Sequence, residues 1–297
     1  MQYKQLGTSD LQVSEIGFGC MSLEEKDNNE LLHQAIGAGI NFFDTADLYR
    51  KGLNEEMVGK ALKGKRSQVI LATKVGNQWR SDGSGWDWNP RKDYILSAAE
   101  KSLQRLQTGH IDLYQLHGGT IDDPMDETIE AFELLQQQGK IRYYGISSIR
   151  PNVIREYVRR SRIVSVMMQY SLLDRRPESC GVTDLLRQHR IGILARGSLA
   201  QGLLAGKPAK SFLNYTAEQV KDAAGAIGRV AGESYTTSQV GIGFALHHPA
   251  ITSAVAGIRT AAQLAAITGG LGLPALSERD MDLLARSIPV NHYDAHL

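Results

Sequence analysis

The chain has 297 residues, 42% hydrophobic and 22% charged, with a formal net charge of +1 at pH 7. One large domain or two small ones fit this length, and the balanced charge implies neither nucleic acid nor an anionic membrane as a partner. Apolar runs such as 191–195 are too short to span a bilayer, residues 1–5 lack the apolar core of a signal peptide, and Cys20 and Cys180 show no metal or redox spacing, so a cytoplasmic protein is expected.

The chain opens on a hairpin-like segment, 2–6 and 11–13 around a turn at 7–10. Strands and helices then alternate. A strand at 16–19 precedes a helix at 28–38, and a strand at 41–44 precedes a helix at 55–62. The strand 69–74 leads through a longer loop to a helix at 90–106, with Asn89 as N-cap, Pro90 at its first position and an apolar stripe of Ile95, Ala98, Ala99, Leu103 and Leu106. The strand 111–116 leads to a helix at 125–138 ended by Gly139. Three further pairs follow, 141–146 with 151–160, 165–169 with 183–189, and 191–195 with 237–247 after a long segment. The strand 252–255 and helix 261–268 complete the series.

Eight strand–helix pairs in about 260 residues fit a (β/α)₈ TIM barrel, an α/β fold, here a single domain over 1–297 with an N-terminal β-hairpin and long βα loops. The rival is a doubly wound sheet, whose dinucleotide fingerprint Gly17-Phe18-Gly19 and the later Asp44 imitate. Its third glycine is missing, and 20–26 reads as a loop, which favours the barrel. The loops at 77–91, rich in Gly, Ser, Asp and Trp, and at 203–217 lie on the face where a barrel keeps its site, and either can serve as a lid.

Several strands end in a reactive side chain. If they are parallel neighbours, Asp44, Tyr49, Lys74 and His117 converge on one face. A phenol in water has a pKa near 10 and gives up its proton reluctantly. A neighbouring ammonium stabilises the phenolate, and Lys74 is the candidate ammonium, kept charged and aimed by Asp44. Tyr49 then becomes a general acid for a carbonyl oxygen, with a neutral His117 orienting that oxygen. Taken singly, Asp44 reads as a cap or Asx-turn residue, Lys74 as a solvated charge, His117 as a strand cap and Tyr49 as a loop residue. Their joint placement is what points to function. No Gly-x-Ser-x-Gly elbow signals a hydrolase, and His247-His248 lacks carboxylate or cysteine neighbours, so no metal is expected.

These residues resemble the aldo-keto reductases. The resemblance rests on Leu6 through Gly19, on Phe43-Asp-Thr-Ala-Asp-Leu-Tyr49, on Thr73-Lys74 and on Asp112-Leu-Tyr-Gln-Leu-His117, and it runs to the Arg259 region. It implies a (β/α)₈ barrel binding NADPH/NADP⁺ in extended form, with hydride passing from nicotinamide C4 to an aldehyde or ketone and Tyr49 protonating the oxygen. It further implies that Ser147 and Gln169 hold the carboxamide, with Ser148 where the family usually has Asn. Arg196 stands where many members place an aromatic ring against the nicotinamide. A cation there either disfavours the oxidised ring or turns away to a carboxylate or phosphate. Gly197, Leu199, Gln201 and Lys207 belong to the loop after strand seven, Gly19 ends the first strand and Met21 follows it, and the resemblance implies that all six contact the cofactor. Gly257, Arg259 and Gln263 fit the segment that grips the adenosine 2′-phosphate, with Ile267 where an Asn is common. Two other functions compete, a cofactor-binding regulatory subunit with little turnover and a barrel aldolase or isomerase using Lys74 as a Schiff-base amine. The sequence names a small carbonyl compound as substrate only by class, and leaves any oligomeric partner unknown.

Overall fold

The structure is a computed structural model describing residues 1–24, 28–270 and 272–297. Glu25 and Lys26, the end of the segment read as a loop, lie outside the described residues. Strands β1 (Tyr3–Gln5) and β2 (Gln12–Ser14) pair antiparallel. The turn between them presses so closely on the next layer that a Cβ on Gly7 would fall 2.1 Å from the Val164 carbonyl oxygen.

The alternating pattern then appears as β3 (Ile16–Gly19), α1 (Asn28–Gly37), β4 (Phe42–Asp44), α2 (Leu53–Ala61) and β5 (Ile70–Val75). A small ribbon, β6 (Asn77–Trp79) and β7 (Trp86–Trp88), interrupts it before α3 (Lys92–Leu106). There follow β8 (Ile111–Leu116), α4 (Met125–Gln137), β9 (Ile141–Ser147), α5 (Pro151–Arg160) and β10 (Ser165–Gln169). Helices α6 (Arg176–Ser179) and α7 (Val182–Gln188) lead to β11 (Gly192–Arg196), and α8 (Ala217–Ala231) and α9 (Thr237–His247) to β12 (Ile251–Gly257). Helices α10 (Ala261–Thr268) and α11 (Glu278–Arg286) finish the order.

The strands β3, β4, β5, β8, β9, β10, β11 and β12 close into a parallel barrel, with Ala254 of β12 in register with Ile16 of β3. Closure follows from strand composition. β8 reads Ile-Asp-Leu-Tyr-Gln-Leu and every residue is buried, which suits a strand covered on both faces. Inside, Phe42, Ala72, Leu113, Met167, Leu194 and Val255 pack with Leu6, Leu11 and Val13 of the hairpin, which plugs the end where the strands begin. Each of these side chains larger than alanine contributes roughly 1.5–3 kcal/mol by burial. The doubly wound alternative is ruled out, because Gly17 and Gly19 lie in a strand that closes a barrel.

Three local expectations need correction. Asn89 is not the cap of α3, and Pro90 is not its first residue, because α3 begins at Lys92. The Asn89 side chain instead accepts from the Arg91 N–H in an Asx turn and donates to Gln78 of the ribbon. The long segment before residue 237 holds α8, opened by a Thr216–Gln219 capping box. Capping boxes also open α9, at Thr236 and Gln239, and α11, at Ser277 and Asp280.

Candidate active site

The barrel brings the four sequence-predicted side chains together at the end where the strands finish. Asp44 ends β4, Lys74 is the penultimate residue of β5, and His117 directly follows β8, its N–H bonded to the Val75 carbonyl at 2.7 Å. Tyr49 arrives from the turn after β4. Lys74 Nζ donates to Asp44 Oδ2 at 2.5 Å, to the Thr45 carbonyl at 2.8 Å and to the Tyr49 hydroxyl at 3.4 Å. Gln115, which the sequence reading did not single out, donates to Asp44 Oδ1 at 3.3 Å. The rings of Tyr49 and His117 meet edge to face with centroids 5.8 Å apart.

Charge is distributed unevenly. Burial opposes the Lys74 ammonium, but Asp44 and the Tyr49 hydroxyl hold its pKa above the ordinary lysine value. Burial, with the positive charges of Lys74 and Arg196, lowers His117 to about 3, so its imidazole is neutral across the physiological range. His117 Nδ1 is buried without a protein partner. A neutral ring beside a charged lysine is suited to hydrogen-bonding an uncharged oxygen.

Supports from outside the barrel fix the strand ends. Asn54 at the start of α2 accepts from Thr45 Oγ1 at 2.5 Å and donates to the Cys20 carbonyl at 2.8 Å. Glu55, wholly buried, accepts from Thr73 Oγ1 at 2.6 Å and Arg105 Nε at 2.7 Å. The signal for these residues was two polar positions on a helix face turned inward.

The four side chains floor a cavity of about 1370 Å³, larger than the roughly 300–1,000 Å³ of a site for one small ligand. All the predicted cofactor positions line it: Gly19, Met21, Ser147, Ser148, Gln169, Arg196, Gly197, Leu199, Gln201, Lys207, Gly257, Arg259 and Gln263. After β11 the backbone bends through the left-handed residues Ala200, Gln201 and Gly202, at φ values of 46°, 60° and 93°. Lys207 folds back to donate to the Gln201 carbonyl at 2.9 Å. Gly257 has open space where a Cβ would stand. Beyond it Thr260 caps α10, and Gln263 accepts from the Arg259 N–H at 2.8 Å, leaving a helix N-terminus and a guanidinium at the far end. Buried Ile267 lines this end as well, where the resemblance leads one to expect an amide side chain.

The wall opposite is apolar. Trp86 and Trp88 of the ribbon line the cavity with Leu48 and Ile149. Trp88 donates to Asp123 at 3.0 Å, and its ring fills the space beside Gly76 and Gly118, where a Cβ would come within 2.6 Å and 3.3 Å of it.

Residues 15–288 match the Aldo/keto reductase family. The chain belongs to that family. Among curated proteins, this reductase is 48% identical to a Bacillus subtilis protein named uncharacterized oxidoreductase YqkF, covering 100% of this chain and 99% of the other. It is 30% identical to a probable aldo-keto reductase 1 of Glycine max over 98% of this chain and 90% of that one. Among solved structures it superposes on the holo form of the Bacillus halodurans aldo-keto reductase AKR11C1 with a TM-score of 0.93 at 47% identity, covering 100% and 99% of the two chains. The apo form of that enzyme gives 0.84. As an aldo-keto reductase the chain is an oxidoreductase acting on carbonyl groups, and its barrel is the family's (β/α)₈ fold. No described helix is long and apolar enough to cross a membrane.

Proposed function

We propose that the protein reduces an aldehyde or ketone to an alcohol with NADPH, and that Tyr49 gives the carbonyl oxygen its proton. The observation that carries this is the contact of Lys74 with both Asp44 and the Tyr49 hydroxyl at the floor of a cavity whose volume of about 1370 Å³ exceeds that of a site for one small ligand. The residues present fit the cofactor: a strip of backbone with little side chain at Gly197, Gly202 and Gly257, a left-handed turn, and a basic helix start at Arg259. When bound, the dihydronicotinamide supplies a hydride.

The protein's own part is proton supply and aim. The Lys74 ammonium favours the phenolate that Tyr49 becomes after giving up its proton, and buried Asp44 keeps that ammonium charged. His117, neutral and lining the cavity, orients the substrate oxygen beside the tyrosine hydroxyl. On this reading Ser147 and Gln169 hold the carboxamide and Arg259 the 2′-phosphate, all three lining the cavity. On the substrate side the wall is tryptophan and aliphatic, and Asp44, itself ion-paired, is the one carboxylate among the described lining residues. That favours flat, apolar carbonyl compounds over polyhydroxylated ones.

The test follows NADPH absorbance with a panel of aromatic and aliphatic aldehydes and ketones, beside Tyr49→Phe. Turnover in the parent that falls about 10²–10⁴-fold in the variant, with NADPH binding kept within twofold, is the expected result. NADPH bound tightly but never consumed by either protein would replace this reading with that of a regulatory subunit.

A further inference from the structure

Tyr49 sits on the least supported backbone of the four. It lies five residues beyond the end of β4 and is followed by Arg50 (φ 53°, ψ 37°) and Lys51 (φ 58°, ψ 38°), both left-handed although neither is glycine, and then by Gly52 at φ 88°. Side chains with a Cβ resist this conformation, so such a turn persists only where its surroundings hold it. The ribbon supplies that hold. Trp79 Nε1 donates to the Leu48 carbonyl at 3.2 Å, the peptide oxygen immediately before Tyr49. Lys51 Nζ stands 5.1 Å from the centre of the Trp79 ring and donates to the Gly83 carbonyl at 3.3 Å, across the tip of the same ribbon. Trp79 is absent from the cavity lining, whereas Trp86 and Trp88 of the facing strand belong to it.

Resting on the reductase reading above, we infer that Trp79 is a positioning residue for Tyr49, clamping the strained turn from outside the cavity. The tyrosine hydroxyl has little slack, since its 3.4 Å separation from Lys74 Nζ is already at the long limit of a hydrogen bond. A displacement of a few tenths of an ångström at Leu48 removes that contact. The clamp also ties the general acid to the ribbon that forms the apolar wall, because Trp79 pairs with Trp86 in register. A substrate seated against Trp86 and Trp88 therefore bears on the same small sheet that sets the height of Tyr49.

Two variants test this. Trp79→Phe deletes the Nε1–H and keeps a ring beneath Lys51. Lys51→Gly deletes the ammonium while relieving the left-handed strain. We expect kcat to fall about tenfold in each, the loss set by one hydrogen bond and a small misplacement, with KM for the carbonyl and Kd for NADPH within twofold. We also expect faster hydrogen exchange in the peptide spanning residues 46–57. A merely structural role for Lys51 predicts the opposite sign, an undiminished kcat and a raised melting temperature in Lys51→Gly. Unchanged exchange in both variants overturns the inference whether or not any carbonyl is reduced, as does faster exchange with undiminished kcat. A parent protein that binds NADPH without consuming it overturns the reductase reading, while the exchange measurement still decides the clamp.

Discussion

The two ends of the barrel are built on opposite principles. At the end where strands begin, Asp112 of β8 is ion-paired to Arg66 at 2.7 Å and Arg142 at 3.0 Å, and accepts from the Leu71 N–H at 2.9 Å. The hairpin β1–β2 seals that end with leucine and valine. At the other end, His117 Nδ1, Gln115 Oε1 and Asp47 Oδ1 are buried without protein partners, and two turns run through consecutive left-handed residues that are not glycine. One end pairs its charges internally and, among the described residues, leaves only the buried hydroxyl of Ser165 at the start of β10 without a partner. The other leaves donors, acceptors and strain that something else must complete, which is the signature of a working surface.

The sharpest way to break this contrast is to damage the closed end. Asp112→Ala removes one partner from Arg66 and Arg142, which keep their other acceptors, and leaves the Leu71 N–H unpaired; it should destabilise the fold by about 1–3 kcal/mol, read from urea unfolding. The NADPH affinity of the protein that remains folded should stay within twofold. A comparable loss of affinity would mean that the two ends are not separable. At the open end, Arg259→Gln should weaken NADPH about 10–100-fold, as befits a charge-assisted contact of roughly 1.5–3 kcal/mol. Affinity for NADH and the melting temperature of the free protein should stay constant, measured by fluorescence titration and calorimetry.

Acid–base behaviour sharpens the comparison further. Burial, then the charge of Glu55, pushes Asp47 up to about 8 against the opposing Arg105, the Leu48 N–H and the Tyr94 hydroxyl. The folded protein thus binds this proton more tightly than the unfolded chain, whose carboxyl titrates near 3.8. The associated stability is fully present below about pH 4 and is lost as pH rises toward 8. Asp47→Asn should flatten that part of the decline in melting temperature between pH 5 and 8. A decline identical to that of the parent would show that Asp47 is ionised in the fold. The smallest effect concerns Arg196. Arg196→Tyr should change the ratio of NADPH to NADP⁺ affinities by a few-fold toward the oxidised form, following removal of one cation that faces the cavity. An unchanged ratio would place that guanidinium away from the nicotinamide.

Much of the barrel could be read from the chain because a parallel strand buried on both faces is a short apolar run followed at a regular interval by an amphipathic helix. The strand at 165–169 and the helices at 151–160 and 261–268 match the observed elements residue for residue. Asp44, Lys74 and His117 were legible for the same reason, since each polar residue closes such a run. Helices α8 and α11 lie outside the repeating unit and were passed over, although Thr216 with Gln219 and Ser277 with Asp280 announce both starts. The misplaced start of α3 has another cause. Asn89 and Pro90 suit a helix entry locally, but the ribbon claims the Asn89 side chain, and the Lys92 N–H is met by Glu127 from α4. Gln115 and the clamp at Trp79 depend on which side chains a closed sheet brings face to face. No window of sequence contains that information.

Barrel closure also governs how the chain can be made. β3 is bounded by β4 on one side and by β12, some 240 positions later, on the other. A ribosome adding roughly 5–20 residues per second needs on the order of ten to fifty seconds to synthesise the intervening stretch. Throughout that interval the outer edge of β3 has no neighbour, and an unpaired apolar strand is a template for the wrong partner. The nascent amino-terminal half therefore carries an open strand edge that only completion of the chain can close.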